Sequence, residues 1–258
     1  MLLKTIIEMI VSPNAKINLG LNVLRKRVDG YHELSSVFYP VKDLCDILEI
    51  LLSTEFSFSS SGIKIPGEGN LCTKAFEMLK QDFGISNVKI HLHKQIPIGA
   101  GLGGGSADGA FMLKAMNTLF DLKLSIAQLE KYALKLGADC PFFIENIPKY
   151  AQGIGEKMSI VDLDLSAYKL KFIFPELHIS TAEAYGGITP KIPETNLLDL
   201  INQPIEKWKG KVKNDFEVAT FAKHPHLEKM KTQLYADGAI YASMSGSGSV
   251  LYGVFNSF

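Results

Sequence analysis

The chain has 258 residues, enough for one large domain or two small ones with a self-sufficient core. Its 27 Lys plus Arg balance 27 Asp plus Glu, so no global charge favours nucleic acid or an anionic membrane, and any anion site must be local. Three scattered cysteines (Cys45, Cys72, Cys140) read as reduced thiols, and without an apolar run of ~20 residues or a cleavable leader the chain is expected to be soluble and cytoplasmic.

In chain order, residues 1–10 open the chain with an apolar stretch interrupted by Lys4 and Glu8. Residues 15–24 alternate apolar and polar side chains at period two and predict a strand. A polar loop over 25–33 turns at Asp29-Gly30. Strands are expected over 35–41 and 46–52, with a short one over 55–59. Leu71, Ala75, Phe76 and Leu79 make a helical stripe over 71–83. The strand 88–93 sets His91 and His93 on one face; neither that pair nor His224 and His226 has a third ligand nearby, so no metal site is assigned. A glycine-rich stretch over 97–105 leads into helices over 106–120 and 126–136, the second N-capped by Ser125. Residues 140–144 are short and apolar, and 150–161, with Gly153 and Gly155, predict paired strands. A strand over 169–174, helices over 196–201, 215–222 and 226–235, and a strand–glycine–strand unit over 239–255 complete the pattern. Hairpins mixed with helices define an α+β chain, with a boundary near Asp162 that divides 1–161 from 162–258.

The strongest local signal runs from Pro97 through Gly99, Gly101, Gly103, Gly104 and Gly105 to Ser106 at a helix start. So many glycines are costly in backbone entropy, which implies positive φ or very close backbone approach. Successive N–H groups that open a helix make an anion cradle, and phosphate is the usual occupant. No Gly-Lys-Ser/Thr follows, so the loop is not of the Walker type. Nor does a ribose-binding acid follow at the spacing of a dinucleotide fold.

Two further motifs flank the loop. Upstream is Pro13-Asn14-Ala15-Lys16-Ile17-Asn18-Leu19, followed by Asp29-Gly30-Tyr31-His32; Lys16 and Asn18 share one strand face. Alone, a strand lysine is usually solvated. Downstream is Met244-Ser245-Gly246-Ser247-Gly248-Ser249, which by itself reads as a hairpin turn.

Together these three motifs, in this order, resemble the GHMP kinases (galactokinase, homoserine, mevalonate and phosphomevalonate kinases). The extra glycine of the loop resembles one branch, the kinases of cytidine-diphosphate-linked methylerythritol. The resemblance covers residues 12–255. It implies a two-domain fold, a mixed sheet-and-helix N-terminal domain over 1–161 and a ferredoxin-like C-terminal domain over 162–258. It also implies a natural start at Met9, with residues 1–8 an extension, and that the chain, ending at Phe258, lacks a last element found in other members.

The resemblance further implies ATP-dependent phosphorylation of an alcohol. Gly137-Ala138-Asp139-Cys140-Pro141 matches the segment that holds the catalytic aspartate, so Asp139 is expected as the proton acceptor and Lys16 as the cation beside it. ATP is expected on the glycine loop, with Ser106 contacting phosphate and Asn70 on the adenine side while capping its helix. Lys94 is expected either to reach the nucleotide or to end its strand in solvent. Magnesium is implied by the chemistry, without identified ligands. For the substrate, Tyr31 and Tyr185 are expected to sandwich the cytosine, His32 to hydrogen-bond it, and Asn18, Ser247 and Gly248 to line the pocket. A monomer or weak dimer is expected, without nucleic-acid or membrane partners. Other readings are a homoserine- or phosphomevalonate-type kinase and a non-catalytic relative.

Overall fold

The computed structural model describes residues 8–67 and 69–257. Its first elements are β1 (Glu8–Val11) and the long β2 (Asn14–Lys26). The polar loop narrows to a tight turn, because Asp29 accepts from the Tyr31 N–H at 3.1 Å and pairs with Arg27 at 2.8 Å. The chain then returns through β3 (His32–Cys45), β4 (Ile47–Leu52) and β5 (Ser57–Gly62). Helix α1 (Leu71–Phe83) starts where the Asn70 side chain accepts from the Thr73 N–H at 3.0 Å, and stops at Gly84 in the left-handed region. After β6 (Val88–Lys94) come α2 (Gly104–Leu119), α3 (Ile126–Leu136) and one helical turn, α4 (Phe142–Glu145). Ser125 and Gln128 close a capping box at the start of α3. The hairpin β7 (Lys149–Gly153) and β8 (Lys157–Ile160) is followed by β9 (Tyr168–Ile173), α5 (Thr181–Gly186) and α6 (Leu197–Ile201). Last come α7 (Phe216–Lys223), α8 (Pro225–Ala236), β10 (Tyr241–Met244) and β11 (Leu251–Asn256).

The structure adds to the sequence reading in three places. The extension read over 1–8 falls partly outside the described residues, but Glu8 opens a genuine strand that pairs antiparallel with β4. Residues 140–144, read from the sequence only as short and apolar, turn helically, since Pro141 starts α4 in the right-handed region. Helix α5 was not expected, although Ser180 and Glu183 stand at N-cap spacing and the Ser180 side chain caps the Glu183 N–H.

Two compact units emerge, each drawn from separate stretches of chain. Among the described residues, the first holds those up to Ala15, 40–98 and 103–146; the second holds 16–39, 99–102 and those from Ile147 on. The first carries a sheet in the order β1-β4-β6-β5, with β5 parallel to β6 and the other pairs antiparallel. One face of that sheet buries Leu48, Ile50, Val88, Ile90 and Leu92 at alternate positions. Helix α1 buries Cys72, Ala75, Phe76 and Leu79 and packs on α2. The second unit holds the sheets β2-β3-β7-β8 and β10-β11-β9. Its core joins Leu21 and Val23 to Phe216, Leu227, Leu234, Met244, Leu251 and Phe255. The α+β class and the fold expected from the resemblance are both present. No helix among the described residues is long and apolar enough to cross a membrane.

Candidate active site

The first unit carries the exit of the glycine loop. Helix α2 has Gly103 as its N-cap at φ 70°, which supplies no side-chain oxygen, so no side chain caps the first-turn N–H groups. Gly105 is exposed, and a Cβ built there meets nothing within 4 Å. The fold itself therefore gives no steric reason for glycine at that position. Gly104 differs, because a Cβ there would fall 2.8 Å from Ile96 Cγ2 and 2.9 Å from Lys94 Nζ.

Lys94 is buried rather than solvated. Its ammonium donates to Asp46 and, at 2.7 Å, to Asp108. Burial, opposed by Lys94 and reinforced by the Asp46 charge, pushes the Asp108 carboxyl up to about 7. Asp139 is half-buried in the turn between α3 and α4, where its carbonyl accepts from the Phe142 N–H at 3.3 Å. The adjoining Cys140 thiol meets the Ser106 hydroxyl, which ties this turn to the first turn of α2; burial pushes that thiol up to about 12. Asn70 serves its cap as expected, and Pro97 is half-buried where the chain leaves Ile96. Among the described residues no group of three or more His, Cys, Asp or Glu side chains is arranged to hold a metal ion.

The second unit gathers the other motifs. Lys16 is 4% exposed and donates to Asn18 Oδ1 at 2.6 Å, with its Nζ 3.4 Å from the Gly101 carbonyl oxygen and 4.7 Å from the centre of the Phe38 ring. Asn18 in turn donates to the Ser36 hydroxyl at 2.8 Å. The Ser245 hydroxyl donates to the Gly101 carbonyl at 2.8 Å and accepts from the Asn18 N–H at 3.3 Å. Gly101 must be glycine for this meeting: at φ 81°, its Cβ would stand 2.0 Å from the Ser245 carbonyl oxygen. Gly99, at φ 67°, lies under the His178 ring. Ser247 is half-buried, and Gly248 packs against Met244 and Ile179.

Tyr31 leaves 61% of its surface in solvent. The ring stacked on Tyr185 is His32, with centroids 4.7 Å apart at 24°, and Phe216 meets Tyr185 edge-on at 4.9 Å. Sequence reading missed Asn214, whose buried amide donates to the carbonyls of Met244 and Gly246, both at 2.8 Å. It also missed Ser245, Asp46 and Asp108. Asn214 did carry a signal, since it precedes α7 and caps the Phe216 N–H at 3.0 Å. Its reach to the turn after β10 is a long-range contact that local pattern does not encode.

A phosphate-type cradle, a buried strand lysine and a glycine turn on one α+β scaffold describe a small-molecule kinase. Models for the GHMP kinases N terminal domain and the GHMP kinases C terminal region match residues 70–146 and 197–258. The chain belongs to the GHMP kinase family. It is 50% identical to the 4-diphosphocytidyl-2-C-methyl-D-erythritol kinase of Azobacteroides pseudotrichonymphae over 96% of its length and 93% of that protein's. Identity to the protein of the same name from Bacteroides fragilis is also 50%, over 96% of this chain and 92% of the relative. A crystal structure of 4-(cytidine 5'-diphospho)-2C-methyl-D-erythritol kinase superposes with a TM-score of 0.79 at 32% identity, covering 95% of this chain and 90% of that one. Homoserine kinase from Cytophaga hutchinsonii shares the fold, with a TM-score of 0.75 at 19% identity over 100% of this chain and 87% of its own.

Proposed function

We infer that this chain transfers the γ-phosphoryl group of ATP to a hydroxyl of 4-diphosphocytidyl-2-C-methyl-D-erythritol, giving the 2-phosphate and ADP in non-mevalonate isoprenoid synthesis. The observation that carries this is identity at half of all positions, over nearly the full length, with kinases of that name. ATP lies on the loop from Pro97 to Ser106, with Gly99, Gly101, Gly103, Gly104 and Gly105 around its phosphates and Asn70 on the adenine side. Magnesium accompanies it, held chiefly by phosphate oxygens and water, as that ion commonly is.

Asp139 accepts the hydroxyl proton and Lys16 supplies positive charge for the transfer. Lys16 is suited to it: Asn18 and the Gly101 carbonyl aim the ammonium, and burial limits competing water. Tyr31, His32 and Tyr185 receive the cytosine, while Asn18, Ser247 and Gly248 line the alcohol pocket. The stacked His32–Tyr185 pair suits a base seated on an aromatic edge-wall, with Tyr31 free to cover it. A cytoplasmic monomer or weak dimer completes the reading.

Coupled ADP release measured with the cytidine-linked alcohol, homoserine and phosphomevalonate tests it. Turnover is expected with the first alone; turnover with either of the others in its place overturns the substrate assignment. Asp139→Asn is expected to lower kcat by more than about tenfold, ~1.4 kcal/mol in barrier, with ADP affinity unchanged. An active Asp139→Asn protein removes the base assignment.

A further inference from the structure

Three charged side chains are buried together behind the glycine loop, all within the first unit. Asp46 is the single residue between β3 and β4, Lys94 ends β6, and Asp108 lies one turn into α2. Their exposures are 0%, 3% and 3%. Lys94 donates to one oxygen of each carboxylate. The other Asp46 oxygen accepts the backbone N–H groups of Gln95 at 2.6 Å and Ile96 at 2.9 Å. Those two residues are the entry to the loop, and Gly104 to Asp108 are its exit. Between them, the Ile96 side chain and the Lys94 ammonium fill the space behind Gly104 so closely that no Cβ fits. One cluster therefore grips both ends of the loop.

The cluster is an expensive way to join a sheet to a helix. Desolvating ions costs several kcal/mol each, and apolar residues of similar volume commonly do the same packing at equal or lower cost. Here two carboxylates share one cation, the second oxygen of Asp108 meets no donor, and burial raises that carboxyl toward neutrality. Ionic bonds differ from apolar contacts in being directional: they fix angles and register as well as proximity. A loop whose work depends on where its N–H groups point needs that directionality, because an anion cradle loses its effect when its donors scatter.

We propose that the Asp46–Lys94–Asp108 ion cluster positions the glycine-rich loop from behind, setting its affinity for the nucleotide without touching it. The proposal rests on reading that loop as the ATP site, and it makes Lys94 a positioning residue whose ammonium faces away from the ligand.

Asp108→Leu removes one acceptor while filling its space; Asp108→Asn keeps an oxygen for the ammonium. ADP binding by calorimetry and the KM values for ATP and the cytidine-linked alcohol are measured on both variants beside the wild type. Asp108→Leu is expected to weaken ADP and raise the ATP KM by roughly tenfold or more, with the alcohol KM within about threefold. Asp108→Asn is expected to stay near the wild type on all three. Should Asp108→Leu fail to fold, the double variant Lys94→Met with Asp46→Asn carries the same expectation: it leaves net charge unchanged and keeps an amide oxygen for Gln95 and Ile96. A folded variant of either design that binds ADP normally, or that weakens both substrates alike, overturns the proposal. Wild-type protein that fails to bind ADP at all overturns the nucleotide reading of the loop and this proposal with it.

Discussion

Gly105 offers a test that separates the demands of the fold from those of the proposed nucleotide. Glycine inside a helix costs roughly 0.5–1 kcal/mol relative to alanine, and at this exposed position no neighbour demands it. Gly105→Ala should therefore stabilise the ligand-free protein in denaturant unfolding while weakening ADP in calorimetry. Opposite signs in two measurements are hard to obtain from general damage; equal ADP affinity removes Gly105 from the cradle. Asp108 gives a second residue-level test. Its carboxyl has an ordinary value of 3.8 and is pushed up to about 7 by burial, so the folded state holds this proton more tightly than the unfolded chain does. Its contribution to stability is complete at acid pH and declines as pH rises from about 4 to about 7, because the unfolded state then gives up the proton first. Compared with the wild type, Asp108→Asn should gain relative stability as pH rises from about 4 to about 7 and level off above that. A pH-independent difference between the two would show that Asp108 is ionised throughout.

Among the elements, the turn after β10 shows how a motif is built by residues outside it. Asn214 donates to Met244 and Gly246, and Glu217 accepts from the Met244 N–H at 2.8 Å and from the Ser243 hydroxyl at 3.1 Å. Two residues at the start of α7 thereby fix the strand end from which Ser245 reaches Gly101. Asn214→Asp keeps the shape but turns a carboxylate toward two carbonyl oxygens. It should lower unfolding free energy by roughly 2–4 kcal/mol, the cost of two buried acceptors losing their donor; a loss near zero would mean that water replaces the amide. These contacts mark the limit of what the sequence discloses. Period-two alternation gave β2, cap chemistry gave α1 and α3, and the glycine density gave the loop, because each is a local signal. The Lys16–Asn18 pairing was also readable from spacing two on a strand. β1 was hidden because four residues beside a charged, apolar stretch have too little pattern, and α5 because one turn and a half is too short for periodicity. The long-range roles of Asn214, Asp46 and Asp108 were unreadable for a different reason: their partners lie 30, 48 and 14 residues away, and only the tertiary fold brings them together.

For the whole molecule, the two ligand readings fall on different compact units: Gly105 belongs to the first and Tyr31 to the second. Mass action turns this into a crossed test. A ligand at a hundred times its Kd stabilises the native state by ~2.7 kcal/mol. For a chain of this size that is a rise in Tm of roughly 5–10 °C. Wild-type protein should respond to ADP and to cytidine 5'-diphosphate, each added alone. Gly105→Ala should lose most of the ADP response and keep the cytidine response. Tyr31→Ala should do the reverse: its side chain is largely in solvent, so removing it leaves the core intact, yet base stacking is worth ~1–3 kcal/mol. Tyr31→Phe should behave as the wild type, since the ring and not the hydroxyl is what stacks. If each substitution abolished both responses, the two nucleotides would be competing for one site and the division of roles would fail. If cytidine 5'-diphosphate produced no shift even in the wild type while ADP did, the aromatic residues Tyr31, His32 and Tyr185 would not be a cytosine pocket. A kinase of the same family acting on an alcohol without a nucleotide tag would then be the reading that fits.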